Sequence, residues 1–298
     1  MRNSLFLAFI LAFALAPVGV SAQSVQTLTS QLSGADAQTR GRAACQLGRF
    51  RAEASPAVSA LVVLLADEAE LPGDVCRDIN GRRGYWYDWN QRGGKHTTTP
   101  GLLAAEALGE IGEKALPALH QALAGGGVLV RHRSILAIAH VESPASIEVL
   151  AGVVRKDAYA EIRADAAWAL GSIEDPAAIE VLSLAATDAS PLVREKSVWA
   201  LGALEEPAAV PHLAKALADK NPEVRSKAAW ALGAIEALSA VDPLLSLLSD
   251  NVADVRQQAA WALGAIGDRR ATAALIAAMD DSDLEVRRTV AWALGAID

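Results

Sequence analysis

Apolar residues recur at helical spacing along most of this chain, in pairs of short stretches separated by polar turns. In the stretch 207–218, Val210, Leu213 and Leu217 share one side of a helix. The turn Asp219-Lys220-Asn221-Pro222 follows, and a second helix is predicted from about Glu223 to Ile235. Pro176 and Pro207 stand near the starts of first helices, where a missing N–H is harmless. Gly233, late in the second helix, is expected to help the next turn.

The pattern has a fixed period. Trp168, Trp199, Trp230, Trp261 and Trp292 each open a W-A-L-G segment and lie 31 residues apart. Five residues before each is an arginine: Arg163, Arg194, Arg225, Arg256 and Arg287. Eleven residues before each is an aspartate: Asp157, Asp188, Asp219, Asp250 and Asp281. Weaker copies run upstream, with Leu136, Glu106 and Cys45 in the tryptophan place. Each copy cannot bury its apolar side alone, so the units are expected to stack.

The unit D-x-x-x-x-V-R-x-x-A-A-x-A-L-G-x-I resembles the HEAT-like repeat named after phycobilisome lyases, over about residues 24–298 and most strongly over 157–298. The resemblance implies an all-α fold, a right-handed α-solenoid of about eight HEAT-like helix pairs, with second helices lining the concave face. It also implies that the repeated aspartates and arginines form a structural ladder, each aspartate at a turn bonding an arginine of its own or the next unit. Repetition itself opposes a catalytic role for them, because a catalytic group occurs once. Such repeats serve many functions, so the fold does not name one.

With the second-helix arginine as position zero, positions −1, 3, 7 and 10 fall between about 260° and 340° on a helical wheel and define the expected buried side. The tryptophan, at position 5, falls near 140°, almost opposite, on a wheel of about 100° per residue. Small residues at position 9 (Ser172, Ala203, Ala234, Ala265, Ala296) share that face. Two readings stay open for the indoles. They form an exposed aromatic stripe that binds a partner, or each lies flat and fills the gap to the neighbouring helix. In the first three units the outward positions are polar: Gly41, Arg42, Cys45, Arg49, Glu106, Glu110, His132, Arg133, Leu136 and His140. Glu106, Glu110 and His140 invite comparison with a metal site, but inter-helix salt bridges explain them better, and no metal is expected.

One large irregularity interrupts the array. Asp67 fits the turn aspartate, yet the next tryptophan place is Glu106, which marks an insertion at about 68–98. It holds Tyr85, Trp86, Tyr87 and Trp89 among arginines and glycines, a composition suited to gripping a partner or to pinning the loop down. Thr99 and Pro100 read as a cap and first position restarting a helix. Cys45 and Cys76 are the two cysteines, and a disulfide between them would tie the insertion across the groove.

That pairing needs an oxidising compartment, and the N-terminus supplies the reason to expect one. Arg2, the apolar run from Leu5 to Ala16, the breakers Pro17 and Gly19, and Val20-Ser21-Ala22 make a signal peptide over residues 1–22. The solenoid then spans 23–298, periplasmic or secreted, with no membrane span after cleavage. Losing Arg2 changes the net charge from −8 to −9 (26 basic minus 35 acidic residues), which disfavours nucleic acid. No catalytic, phosphate-binding or metal motif is present, so neither an enzyme nor a cofactor is expected. The expected function is a scaffold for a protein or extended peptide, with the five repeated tryptophans and Tyr85 to Trp89 as anchors. A glycan- or cell-wall-binding module and an accessory subunit related to chromophore lyases are the alternatives; the export signal opposes the latter. The given sequence stops at Asp298 with no polar capping helix after it, so either an exposed end face is expected to pair with another copy or a partner, or the sequence is a fragment.

Overall fold

The computed structural model describes residues 22–76 and 97–297, with side chains from Ser24. The expected leader and the aromatic run Tyr85, Trp86, Tyr87 and Trp89 lie outside the described residues. Among the described residues, eight helix pairs follow one another. The second helices are Ala37–Arg49, Pro100–Ile111, Val128–Val141, Ala160–Ser172, Pro191–Ala203, Pro222–Ala234, Ala253–Ile266 and Leu284–Ala296. The first helices begin with Ala22–Gln31 and end with Thr272–Ala278, and from unit two onward each is entered through a 3-10 turn such as Pro207–Ala209.

Local signals fix these boundaries. In unit six, Pro222 is the first helical residue, and Asn221 caps the helix by accepting from the amides of Glu223 and Val224. After the insertion, Thr99 accepts from the Leu102 amide and Pro100 starts the helix, as the sequence suggests. The turn after each of the first seven second helices is made six residues past the tryptophan place. Arg51, Gly112, Glu142, Glu174, Glu205, Glu236 and Gly267 all hold a left-handed backbone, with φ between 48° and 78°. This corrects the role expected of Gly233, which lies inside its helix while Glu236 makes the turn.

The buried side of the second helices is wider than the wheel predicts. Val224 and Leu232 are fully buried, as expected, but so are Ala229 and Ala231 on the flanks. The cause is stacking: successive second helices pack directly on one another, while first helices of neighbouring units touch much less. A layer with the closer spacing is the inner layer of a curve, so the second helices line the concave side. Close approach needs small residues. A Cβ placed on Gly171, Gly202, Gly233 or Gly264 would lie 2.5–2.7 Å from the alanine that follows the next unit's tryptophan. These glycines are therefore notches between helices.

The insertion springs from a short antiparallel pair, Leu71–Pro72 with Thr97–Thr98, in which Leu71 faces Thr98 and Pro72 faces Thr97. Leu71 packs over Gly41 of the first unit, where no side chain stands in its way.

Two glycine substitutions separate notch from ordinary helix. Gly202→Ala gains helix propensity but drives its methyl into Ala231, and is expected to destabilise by about 1–3 kcal/mol in urea unfolding. Gly152→Ala, where a Cβ meets open space within the helix Ile147–Lys156, should instead stabilise by about 0.5–1 kcal/mol.

Candidate functional site

The inner face is built on a chain of ion pairs at one edge of the stack. Arg163, Arg194, Arg225 and Arg256 each grip the aspartate of the next unit with two bonds. Nε and Nη2 reach the carboxylates of Asp188, Asp219, Asp250 and Asp281 at 2.7–2.9 Å. The remaining Nη1 donates to the backbone carbonyl of the aspartate in the arginine's own unit. Arg287 does the same to Asp281 and Ser282, and among the described residues no carboxylate accepts from it. Every aspartate also accepts from the amide two residues on, for example Asn221 on Asp219 at 2.8 Å, which forms its own turn. One carboxylate thus shapes a turn and fixes the preceding unit against it.

The ladder continues upstream with variations. Arg40 reaches Asp67 at 2.6 Å, and Arg131 pairs with Asp157. In unit two the arginine place is Gly101, and the gap is filled from next door. Arg133, expected on the outward face, is buried instead, and its guanidinium occupies the space above Gly101. It donates to the carbonyls of Leu65 and Asp67 and to Thr99 Oγ1, so it holds both roots of the insertion. A disulfide between Cys45 and Cys76, with Cα atoms 6.2 Å apart, and a bond from Arg42 to the Val75 carbonyl at 3.2 Å fasten it further.

The charges around these groups follow from the contacts. Hydrogen bonds from arginine hold Asp188, Asp219 and Asp281 below the ordinary carboxylate value of 3.8. For Asp250 and Asp67, burial pushes upward, but Arg225 and Arg40 with a turn amide outweigh it.

The tryptophans pack against the neighbouring unit and stay partly accessible. Each of Trp199, Trp230, Trp261 and Trp292 sets its ring edge on the previous unit's glycine: Cζ3 lies 2.8–3.1 Å from where a Cβ on Gly171, Gly202, Gly233 or Gly264 would be. Trp168, Trp199, Trp230 and Trp261 are half-buried and Trp292 is 49% exposed. They stand in one row beside the small residues at position 9, of which Ser172, Ala203, Ala234 and Ala265 are themselves half-buried. The glycine–indole fit was legible only as conservation of W-A-L-G within the chain; which helix the glycine served was not.

Toward the N-terminal half the inner face turns polar. His140 Nε2 lies 3.3 Å from Glu110, and Arg51 lies 3.7 Å from the same carboxylate. His132 bonds Asp165 at 2.6 Å. Glu106 is half-buried; burial raises its carboxyl above the usual range, Glu110 adds to this and His140 opposes it. Among the described residues, no three ligating side chains converge on a metal position, and no helix is long and apolar enough to cross a membrane.

A stack of helix pairs with closely packed inner helices and a repeated inter-unit ion pair defines an α-solenoid. The sequence profile described as HEAT repeats matches in overlapping copies at residues 102–171, 128–188, 153–233, 180–264 and 241–298, and the chain belongs to the HEAT-repeat family. No curated protein sequence matches it. Among solved structures it is similar to Kap121p, at 14% identity and a TM-score of 0.62, with 92% of this chain on 33% of that one. It is also similar to YibA of E. coli, at 19% identity and a TM-score of 0.55, covering 92% and 94% of the two chains. A looser likeness, with a TM-score of 0.39 at 22% identity over 96% and 98%, is to the complex of CpcE and CpcF of phycocyanin lyase from Nostoc sp. PCC7120. At these identities the likenesses concern the fold alone.

The ladder makes stability depend on pH with a definite sign. An aspartate whose folded pKa lies below its unfolded value contributes stability that is complete above the unfolded value and lost as pH falls through the folded one. Thermal midpoints should therefore drop on acidification below about pH 4. Asp219→Asn should cost about 2 kcal/mol at neutral pH and make that acid loss shallower. An unchanged pH profile in the variant would show that Asp219 carries no such load.

Proposed function

We propose that this protein is a non-catalytic, extracytoplasmic scaffold that holds a protein or extended peptide along its inner face. The observation that carries the reading is the row of five tryptophans, all of them partly accessible, of which Trp199, Trp230, Trp261 and Trp292 each set one ring edge on a neighbouring glycine. Aromatic side chains fixed in this way offer large contact area at low entropic cost, which is what anchor residues of interfaces provide. The HEAT-repeat fold supports a binding role, and Kap121p and YibA show the same fold in other chains.

Extracytoplasmic placement is supported by the leader-like residues 1–22 and by the Cys45–Cys76 disulfide, which persists in oxidising compartments. A non-catalytic role is supported by repetition: the charged side chains of the ladder face each other across units and act as structural fasteners. The insertion roots are held by Arg133 and the disulfide, and Tyr85, Trp86, Tyr87 and Trp89 of the segment between them are proposed as further anchors.

The test is partner capture from an extract of the native envelope. Trp199→Ala combined with Trp261→Ala should reduce capture by about tenfold or more while far-ultraviolet circular dichroism stays unchanged. Undiminished capture would contradict the reading. Saturable binding of oligosaccharides in place of protein would move the function to glycan recognition.

A further inference from the structure

First helices of neighbouring units touch little. Between those of units five and six, Ile179–Ala185 and Val210–Ala216, lies a cleft of about 580 Å³ that reaches the ladder edge. Its charged lining is Asp188, Arg194, Lys215, Asp219 and Lys220, with His212 beside them. The two carboxylates are already occupied. Asp188 accepts from Arg163 Nε and Nη2 at 2.9 Å and from the Ser190 amide at 2.8 Å. Asp219 accepts from Arg194 Nε at 2.7 Å, and from Arg194 Nη2 and the Asn221 amide at 2.8 Å. Arg194 directs its remaining Nη1 to the carbonyls of Asp188 and Ala189.

Lys215, Lys220 and His212 differ. Among the described residues none of the three makes a hydrogen bond or an ion pair, and Lys220 acts on Asp219 through its charge alone. Glu180 and Glu223, close by in the chain, do not line the cleft and pair with neither lysine. With Arg163 and Arg194 balancing the two aspartates, the ammonium groups leave two positive charges in the cleft without a counter-charge. Ser183 Oγ, in the wall, is buried and bonds nothing, so turning it toward a bound oxygen breaks no existing hydrogen bond.

The repeat supplies a control. The ladder recurs at each of these junctions, but the free donors do not. Through the 31-residue period Lys215 answers to Val153, Leu184, Ser246 and Ala277, and Lys220 to Ala158, Ala189, Asn251 and Ser282. The stacking of units therefore does not call for a cation at either place, and the pair is a local addition to a shared frame. A phosphate group fits it. It carries a charge of about −1.5 to −2 at neutral pH and three acceptor oxygens. The unpaired groups can all donate: two ammonium groups, an imidazole and a hydroxyl. A carboxylate brings a single charge and leaves one ammonium unmatched. The volume falls among those of small-ligand sites, about 300–1,000 Å³, and leaves room for an organic carrier.

We infer that the cleft between the first helices of units five and six binds a phosphate group, free or carried on a small organic molecule. No tryptophan lines this site, and it stands independently of the scaffold reading.

The experiment is calorimetric titration of the full chain, at constant ionic strength, with inorganic phosphate, glycerol phosphate and a polyglutamate peptide. Saturable binding of at least one phosphate probe is expected, with a dissociation constant below about 1 mM. Tighter binding of glycerol phosphate assigns the site to phosphate esters, and equal or tighter binding of inorganic phosphate assigns it to the free ion. Lys215→Gln combined with Lys220→Gln should weaken binding about tenfold or more without changing the thermal midpoint. Lys227→Gln, which removes an ammonium outside the cleft, should leave binding unchanged. Absence of saturable phosphate binding, equal binding in the double variant, or binding of polyglutamate alone overturns the inference.

Discussion

The bidentate bond between an arginine of one unit and the turn aspartate of the next sets the geometry of everything else in this protein. It joins the first turn of an inner helix to the turn that launches the following one. A half-buried guanidinium offers several donors in a fixed fork, and here each is used: two on the next unit's carboxylate, one on its own unit's carbonyl. The pair is shielded enough to matter, with Arg194 and Asp219 side chains 7% and 13% exposed. Such a bond constrains rotation as well as distance between neighbours. Glycine and alanine can then meet face to face, and the indole edge finds its notch, at each of the four junctions between units four and eight.

The inner face inherits its order from that constraint. Trp199, Trp230, Trp261 and Trp292 meet the same notch in each unit, so the parts of their rings that remain accessible keep register along the stack. In the N-terminal half the same positions carry Cys45, Glu106 and Leu136, and the surface becomes a set of ion pairs around Glu110 and His132. The two halves differ in the contents of one position on a shared frame. This is how a repeat array varies its surface without altering its packing.

Much of this frame is legible in the sequence. A period of 31 residues, a proline or cap at helix starts and the arginine–aspartate spacing together point to stacked helix pairs. Three features were hidden by the limits of one-dimensional pattern. The wheel of a single helix cannot show that its flanks are covered by neighbours, so Ala229 and Ala231 read as less buried than they are. Glycine late in a helix reads as a stop signal, whereas Gly233 answers to Trp261 in another unit and Glu236 makes the turn. Arg133 occupies an outward position by spacing, yet Gly101, 32 residues earlier in the chain, leaves a gap that draws it inward. Only the repeat alignment, which puts Gly101 in the arginine place, hints at that exchange. For the site, the tryptophan row was readable by position, but its half-open state depends on contacts between units.

A double-mutant cycle between Arg194 and Asp219 tests most directly whether units are locked to one another by this bond. Arg194→Ala, Asp219→Ala and the double variant are compared by urea unfolding. The account predicts a coupling energy of about 1–3 kcal/mol between these two residues of different units. Additive effects, with a coupling within about 0.3 kcal/mol of zero, would contradict it.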